Sequence, residues 1–396
     1  MRIVRFLLAI GAAGLATTIL AGHLGSLHPA LDAFSHLRIQ MLGLAMILCA
    51  VLTLARMWRG AVILGAVAVG SAALTLPWLL PREVVDGRAF VLMQQNLLYR
   101  NGNVAALLDR VAEVEPDVIA LQEIGGRARG IADALRAEYP HVHQCRGVSA
   151  VGDVAVLSRV PFAPDLRARC TPGLAIAAVR LDDVAVAVGS LHLHWPWPFG
   201  QDRHLESLAR HVPAIAAPGL LAGDFNAVPW SASAERLARM MDGRVVRGIG
   251  PSRREPDLPD WLQPLWDIPI DNVVVTGFIE VLGTESIPLD GSDHDTVVTR
   301  FRFRVPPAPE EETFASADGA NLVVHQPVGA HLIGFLNQIG EADRECEDHR
   351  KRSDGANSDH AYSLPTGLMR PNYRFPSERC LMERFIERSG LLEGQE

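Results

Sequence analysis

Several apolar runs in this chain end abruptly in side chains suited to phosphate and metal chemistry. Residues 219–223 run into Asp224, Phe225 and Asn226; residues 91–93 run into Gln94, Gln95 and Asn96. Residues 117–121 lead to Gln122 and Glu123, and residues 186–191 end in His192. A further element, Gly291-Ser292-Asp293-His294-Asp295, directly precedes the last strand-like run. Each reads as a buried strand that presents polar groups at its exposed end. Taken singly, any of them could be a strand-loop junction whose Asp or Asn hydrogen-bonds its own turn. Carboxylates, amides and imidazoles converging from several strand ends are what metal-assisted phosphoryl chemistry requires.

In chain order, Asn96, the Gln122-Glu123 pair, His192, Gly223-Asp224-Phe225-Asn226, Asp271 and Ser292-Asp293-His294 resemble the motifs of the endonuclease/exonuclease/phosphatase superfamily. That group includes pancreatic-type deoxyribonucleases, abasic-site endonucleases, bacterial sphingomyelinases and inositol-polyphosphate phosphatases. The resemblance spans roughly residues 88 to 305. It implies an α/β fold of two packed mixed β-sheets flanked by helices, a four-layer sandwich with the site at one end.

The resemblance also implies roles. Glu123 matches the metal-binding glutamate, with Asp224 and Asp293 contributing to the shell of a Mg2+ or Mn2+ ion; magnesium takes few protein carboxylates and retains waters and phosphate. Asp224 would align the attacking water, and Asn226 would donate to a phosphate oxygen as charge builds up. Asn96 would orient Glu123 or contact phosphate. His294 matches a general base or phosphate contact, oriented by Asp271; an imidazole suits either role because it changes charge near neutral pH. His192 matches a second phosphate-facing histidine. His194 is the alternative, since residues two apart on a strand share a face.

The elements that must position these groups begin at Phe90, where short apolar runs alternate with amphipathic segments. Strands are expected at 90–95, 117–123, 141–145, 154–157, 174–181, 184–191, 219–224, 272–275, 279–282 and 296–303, and helices around 104–111, 127–138, 203–212 and 231–241. Residues 249–263, rich in proline and charge, read as a surface loop. Trp195, Trp197 and Phe199 follow His192 closely. They suit stacking on a base or sugar, contact with lipid, or capping of the core.

Ahead of this region lie apolar runs at 6–22, 39–55 and 61–80, each near the length that spans a bilayer. Arg2 and Arg5 precede the first, and Arg56 and Arg59 fill the gap between the second and third. The positive-inside rule places those arginines in the cytoplasm and everything after the third run outside. A cleaved signal peptide in place of the first span leaves that placement unchanged. The expected organisation is a membrane anchor at 1–81, a catalytic domain at 82–308 and a largely disordered tail at 309–396. The location is the inner (cytoplasmic) membrane, multi-pass, with the catalytic domain on the periplasmic side. The short tether from the third span favours a site facing away from the bilayer and a water-soluble substrate. Cys145 and Cys170 are candidates for a disulfide in that oxidising compartment.

Residues 82–308 carry 23 basic and 28 acidic groups, a poor footprint for tight, non-specific binding to duplex DNA. The resulting expectation is a membrane-anchored, divalent-metal-dependent phosphoesterase that cleaves a phosphodiester, as nucleases do, by metal-activated water attack. Phospholipid phosphodiesterase, phosphomonoesterase and a non-catalytic scaffold of the same fold are the alternatives. The substrate is a phosphate ester of nucleic acid, nucleotide or lipid headgroup, and no protein partner is inferred.

Overall fold

The computed structural model describes residues 2–81, 89–164, 166–215, 218–255, 258–259 and 261–304. The tail expected to be disordered, 309–396, lies outside the described residues, as does most of the tether, 82–88.

The strands in chain order are β1 (Phe90–Asn96), β2 (Val118–Ile124), β3 (His141–Cys145), β4 (Asp153–Ser158), β5 (Arg169–Thr171) and β6 (Leu174–Leu181), then β7 (Val184–His192), β8 (Gly219–Asp224), β9 (Gly243–Val245), β10 (Asp271–Thr276), β11 (Ile279–Ile287) and β12 (Thr296–Phe303). The helices are α1 (Arg2–Ala21), α2 (Pro29–Asp32), α3 (Arg38–Leu54), α4 (Trp58–Thr75), α5 (Val104–Val114), α6 (Ile131–Ala134), α7 (Gln201–Leu208) and α8 (Ala232–Met240). One six-stranded sheet has the order β11-β12-β1-β2-β4-β3, the other β5-β6-β7-β8-β10-β9. Each centres on a parallel pair, β1 with β2 and β7 with β8, inside otherwise antiparallel neighbours.

Period-two alternation explains the layers. Leu92, Val118, Ala120, Val186, Val188, Leu220, Ala222, Val273 and Val275 face inward and fill the space between the sheets. Val91, Met93, Ile119 and Leu121 face outward and pack against Leu107 and Val111 of α5. Leu221 and Val274 pack against Leu205 of α7 and Leu237 of α8. Strands buried on both faces lose the polar alternation of half-exposed ones, which is why they read as continuous apolar runs.

Two strands were not expected, β5 and β9, each only three residues long and too short to carry a periodic signal. The helix expected over 127–138 is a series of 3-10 turns around the single-turn α6, since Gly126 takes a left-handed φ of 50° and Gly130 interrupts the segment.

Cys145 on β3 and Cys170 on β5 are bridged, with Cα atoms 5.4 Å apart. The bond ties the edge of one sheet to the edge of the other across a separation of 25 residues. Loop-closure entropy gives such a bridge about 3 kcal/mol. A Cys145→Ser/Cys170→Ser variant of the full chain in detergent should unfold at lower urea and with a steeper transition, because the unbridged chain exposes more surface when unfolded. An unaltered midpoint would show that the bridge adds no stability.

Helices α1, α3 and α4 form an antiparallel bundle, and each belongs to a segment long and apolar enough to cross a membrane. Their outward side chains, including Ile3, Phe6, Leu7, Ile10, Met46 and Ile47, are exposed. Arg38 is buried at one end of the bundle and donates to the Gly22 carbonyl at 2.7 Å and to Thr75 Oγ1 at 3.3 Å. At that same end, residues 22–37 and Trp78 meet the sandwich. Asp32 accepts from the Ala232 and Ser233 amides at 2.8 and 3.0 Å and so caps α8 from outside its own segment. Trp230 Nε1 donates to the Ser35 carbonyl, and the Gly248 amide donates to that of Trp78, each at 2.9 Å.

These contacts correct the expectation that the site faces away from the bundle. Residues 225–233 leave β8 at its site-bearing end, and it is this end that touches residues 32–36. Phe90 starts β1 at the opposite end, about 20 Å away at ~3.3 Å per residue. Residues 79–89 can extend to roughly 35 Å, enough for the chain to double back.

Candidate active site

The inward rows that fill the core also carry the polar groups. Leu92 is followed on its face by Gln94 and Asn96, Ala120 by Gln122, Val188 by Ser190 and His192, and Ala222 by Asp224. Register then brings strands together at one level: His192 pairs with Asp224 and Asp271 pairs with Asp224, while Asn96 pairs with Gln122 in the other sheet. Beneath the site a buried hydrogen-bonded network joins the two sheets. Gln94 Nε2 donates to Gln122 Oε1 at 2.7 Å and to Asp271 Oδ1 at 2.9 Å; Gln122 Nε2 donates to Ser190 Oγ at 2.9 Å.

Glu123 breaks the alternation. Its φ of 57° is left-handed, and the β2–β4 pairing is irregular between Leu121 and Ile124. The twist swings the carboxylate to the site, where it accepts from Asn96 Nδ2 at 3.3 Å and the Tyr99 amide at 3.0 Å. A non-glycine residue held there is strained, and such strain gathers at functional sites.

Asp224 is the hub. Its Oδ2 accepts from Asn96 Nδ2 at 3.0 Å and lies 3.5 Å from His192 Nε2 and 3.7 Å from His294 Nε2. Its Oδ1 accepts from the Asn226 amide at 2.8 Å. Asn226, with φ 46°, donates one side-chain N–H to the Leu193 carbonyl at 2.8 Å. Its own carbonyl receives Gln201 Nε2 at 2.9 Å and His36 Nε2 at 3.2 Å. His294 Nδ1 donates to Asp271 Oδ2 at 2.8 Å. Both oxygens of Asp271 are engaged, because Gln94 donates to Oδ1 and Ser252 Oγ also donates to Oδ2 at 2.7 Å. It therefore acts as an orienter, although Asp224, Asp271 and His294 lie close enough together to form a metal-ligating group.

His194 turns away and packs edge-on against His204, so His192 is the histidine that faces the carboxylates. Asp293 sits at the edge: its Oδ2 lies 3.8 Å from Arg253 Nη2, and its buried Oδ1 has no hydrogen-bond partner. It does not close a three-ligand group with Glu123 and Asp224 among the described residues.

The environment drives the titratable groups apart. Burial pushes Asp224 up to about 7, the neighbouring Asp271 adding to the effect and His294 opposing it. Burial pushes His192 down to about 4 against the pull of Glu123, leaving a neutral ring. For His294 burial also acts against the charge, but Asp271 and Asp224 outweigh it and lift the ring to about 10.

A hard divalent cation fits this donor set. The Glu123 and Asp224 carboxylates are nearly buried, face each other across the Asn96 amide, and have only histidines as ion-pair partners among the described residues. An excess of buried negative charge of this kind calls for a counter-ion.

Sequence reasoning missed the supporting groups: Gln94, Ser190, Ser252, Gln201 and His36. Gln94 shares the inward face with Asn96, so alternation could have found it. Ser252 comes from the stretch expected to be a surface loop; that loop instead pairs with Ile268 and His294 through Arg253.

Two mixed sheets packed face to face, with carboxylates, amides and a His–Asp pair at one end, define a phosphoesterase-type α/β sandwich. The Endonuclease/Exonuclease/phosphatase family model matches residues 93–294, and the chain belongs to that family. Among solved structures, one from Beutenbergia cavernae DSM 12333 described as endonuclease/exonuclease/phosphatase is 20% identical, with 55% of this chain and 72% of that chain covered, at a TM-score of 0.43. Sphingomyelinase C from Streptomyces griseocarneus is 17% identical, with 54% and 99% covered, at 0.39. A family protein from Leptotrichia buccalis C-1013-b is 14% identical, with 54% and 100% covered, at 0.43. No curated protein matches the chain.

Proposed function

We propose that the chain is a membrane-anchored, divalent-metal-dependent phosphodiester hydrolase. The observation that carries this reading is the crowding of Asn96, His192 and His294 around one oxygen of Asp224, with Glu123 opposite. Glu123 and Asp224 would hold Mg2+ or Mn2+, with Asp293 at the edge of the shell. When bound, the cation supplies charge neutralisation at a phosphate oxygen. Asp224 aligns the attacking water. His294, fixed by Asp271, presents Nε2 to the phosphoryl group and stabilises the negative charge that develops there. His192 Nε2 and the second amide N–H of Asn226 supply further donors.

The three apolar helices fit a multi-pass anchor in the inner membrane. Arg2, Arg5, Arg56 and Arg59 lie at the end of the bundle remote from the sandwich, which supports a periplasmic catalytic domain. The bridged Cys145 and Cys170 suit that compartment. The test uses the full chain in lipid nanodiscs with bis(p-nitrophenyl) phosphate. Hydrolysis should require Mg2+ or Mn2+ and cease on chelation; turnover that survives chelation sinks the metal-dependent reading.

A further inference from the structure

We propose that the mouth of this site rests on the leaflet that borders the sandwich, and that its substrate is a lipid-borne phosphodiester. The inference builds on the hydrolase reading above and adds the substrate class.

The first argument is topological. In an antiparallel bundle of three helices, residues 22–37 and 76–81 emerge at the same end, which is one face of the bilayer if the helices span it. Both segments touch the sandwich, and both touch it at the site end. His36 Nε2 meets the carbonyl of Asn226, Asp32 caps α8 just beyond, and the Arg247 guanidinium lies 4.5 Å from the ring centre of Trp78. The strand ends bearing Asn96, Glu123, His192 and Asp224 are thus held close to the membrane plane, with the rest of the sandwich above them.

The second argument is the rim. Trp195, Trp197 and Phe199 are 51, 54 and 70% exposed, and Trp261 and Trp266, in the segment that leads to the Arg253 partner Ile268, are 76 and 58% exposed. Core capping, one role open for the first three, does not fit such exposure. Large aromatics standing in water on the two segments that meet at Arg253 mark an interaction surface. Trp195 belongs to the mouth itself, because Arg253 stacks 5.5 Å from its ring centre and also reaches Asp293. Trp197 lines a cleft of about 150 Å³ together with Asp32 and residues 25–29 of the inter-helix segment, so the rim is continuous with the membrane-proximal surface. Amphipathic rings such as tryptophan settle at the headgroup level of a bilayer. The occupant that matches rim and position is the bilayer holding the helices. A nucleic acid would instead meet aromatics on a domain with more acidic than basic groups.

In the reaction, the water oxygen bonds to phosphorus as one P–O ester bond breaks. The departing oxygen keeps the electron pair and takes up a proton, leaving a phosphate monoester and an alcohol, at least one of them lipid-borne. The experiment reconstitutes the full chain with Mn2+ in vesicles of phosphatidylethanolamine, phosphatidylglycerol and cardiolipin. Soluble bis(p-nitrophenyl) phosphate and a single-stranded oligonucleotide are supplied alongside, and lipid products are followed by mass spectrometry. The expected result is lipid hydrolysis, with Phe199→Glu and Trp266→Glu each lowering it at least tenfold more than they lower soluble-diester turnover. Soluble diester or oligonucleotide cleaved while the lipids stay intact would overturn the lipid assignment and leave the hydrolase standing. Lipid hydrolysis indifferent to both variants would overturn the resting of the mouth on the bilayer. No hydrolysis of any substrate would overturn the hydrolase reading, and this inference with it.

Discussion

Replacing Asp271 by asparagine should lower kcat on a soluble diester by ~100- to 10,000-fold, about as much as His294→Ala. The double variant should be little worse than either single one, because the two residues act as a unit. The hydrogen bonds decide how the new amide sits. Gln94 Nε2 donates to Oδ1 of Asp271, so the amide oxygen must stay on that side. The amide nitrogen is then left facing His294 Nδ1, while the Ser252 hydroxyl can rotate to accept. A donor opposite Nδ1 keeps that nitrogen unprotonated and the ring neutral, which removes the positive charge from the phosphoryl site. Fold stability supplies a second readout in metal-free protein. The folded-state pKa of His294 is raised from 6.5 to about 10, burial being outweighed by Asp271 and Asp224. Its contribution is therefore full below pH 6.5 and lost as the pH climbs through 10. The stability gap between wild type and Asp271→Asn should be larger at pH 6 than at pH 9 in denaturant titrations with chelator present. Wild-type turnover in Asp271→Asn would dismiss the pair as catalytic machinery.

Much of this site was legible because strand periodicity and strand termination are local properties. Asn96, His192 and Asp224 continue rows that also contain Leu92, Val188 and Ala222, so one alternation describes core and site together. Glu123 does not follow that alternation; its direction depends on a left-handed backbone set by pairing with β4, which no pattern in residues 117–123 reveals. Ser252 and Gln201 act through contacts made by loops, whose conformations follow from tertiary packing. Asp32 and His36 are further still, 200 and 190 positions from the groups they hold. Their side chains read as ordinary polar residues between two apolar helices. The orientation of the sandwich escapes the sequence for the same reason: chain direction at residue 81 is local, whereas the seat of the site end on residues 32–36 is not.

Glu123→Gln should abolish most of the stabilisation that Mg2+ or Mn2+ confers and lower diester turnover by at least ~100-fold, the scale of a lost electrostatic contact at a phosphoryl site. Glutamine preserves the side-chain length, and its amide oxygen can keep the Tyr99 N–H that Oε2 of Glu123 accepts, while its NH2 group takes the place of Oε1 opposite Asn96 Nδ2. What disappears is one of the two nearly buried negative charges that face each other across Asn96. Thermal unfolding with and without metal reads this independently of catalysis: wild type should show a metal-dependent rise in Tm, and the variant little. Proton linkage gives the accompanying sign. Burial raises Asp224 to about 7 in the metal-free protein, so below that pH a cation must displace a proton to bind. Metal affinity should fall as the pH drops through 7, and calorimetric titrations in two buffers of different ionisation enthalpy should report proton release near pH 6.5. A Glu123→Gln protein whose Tm responds to metal as strongly as wild type would remove Glu123 from the ligand set and move the cation toward Asp293, whose buried Oδ1 is unpartnered.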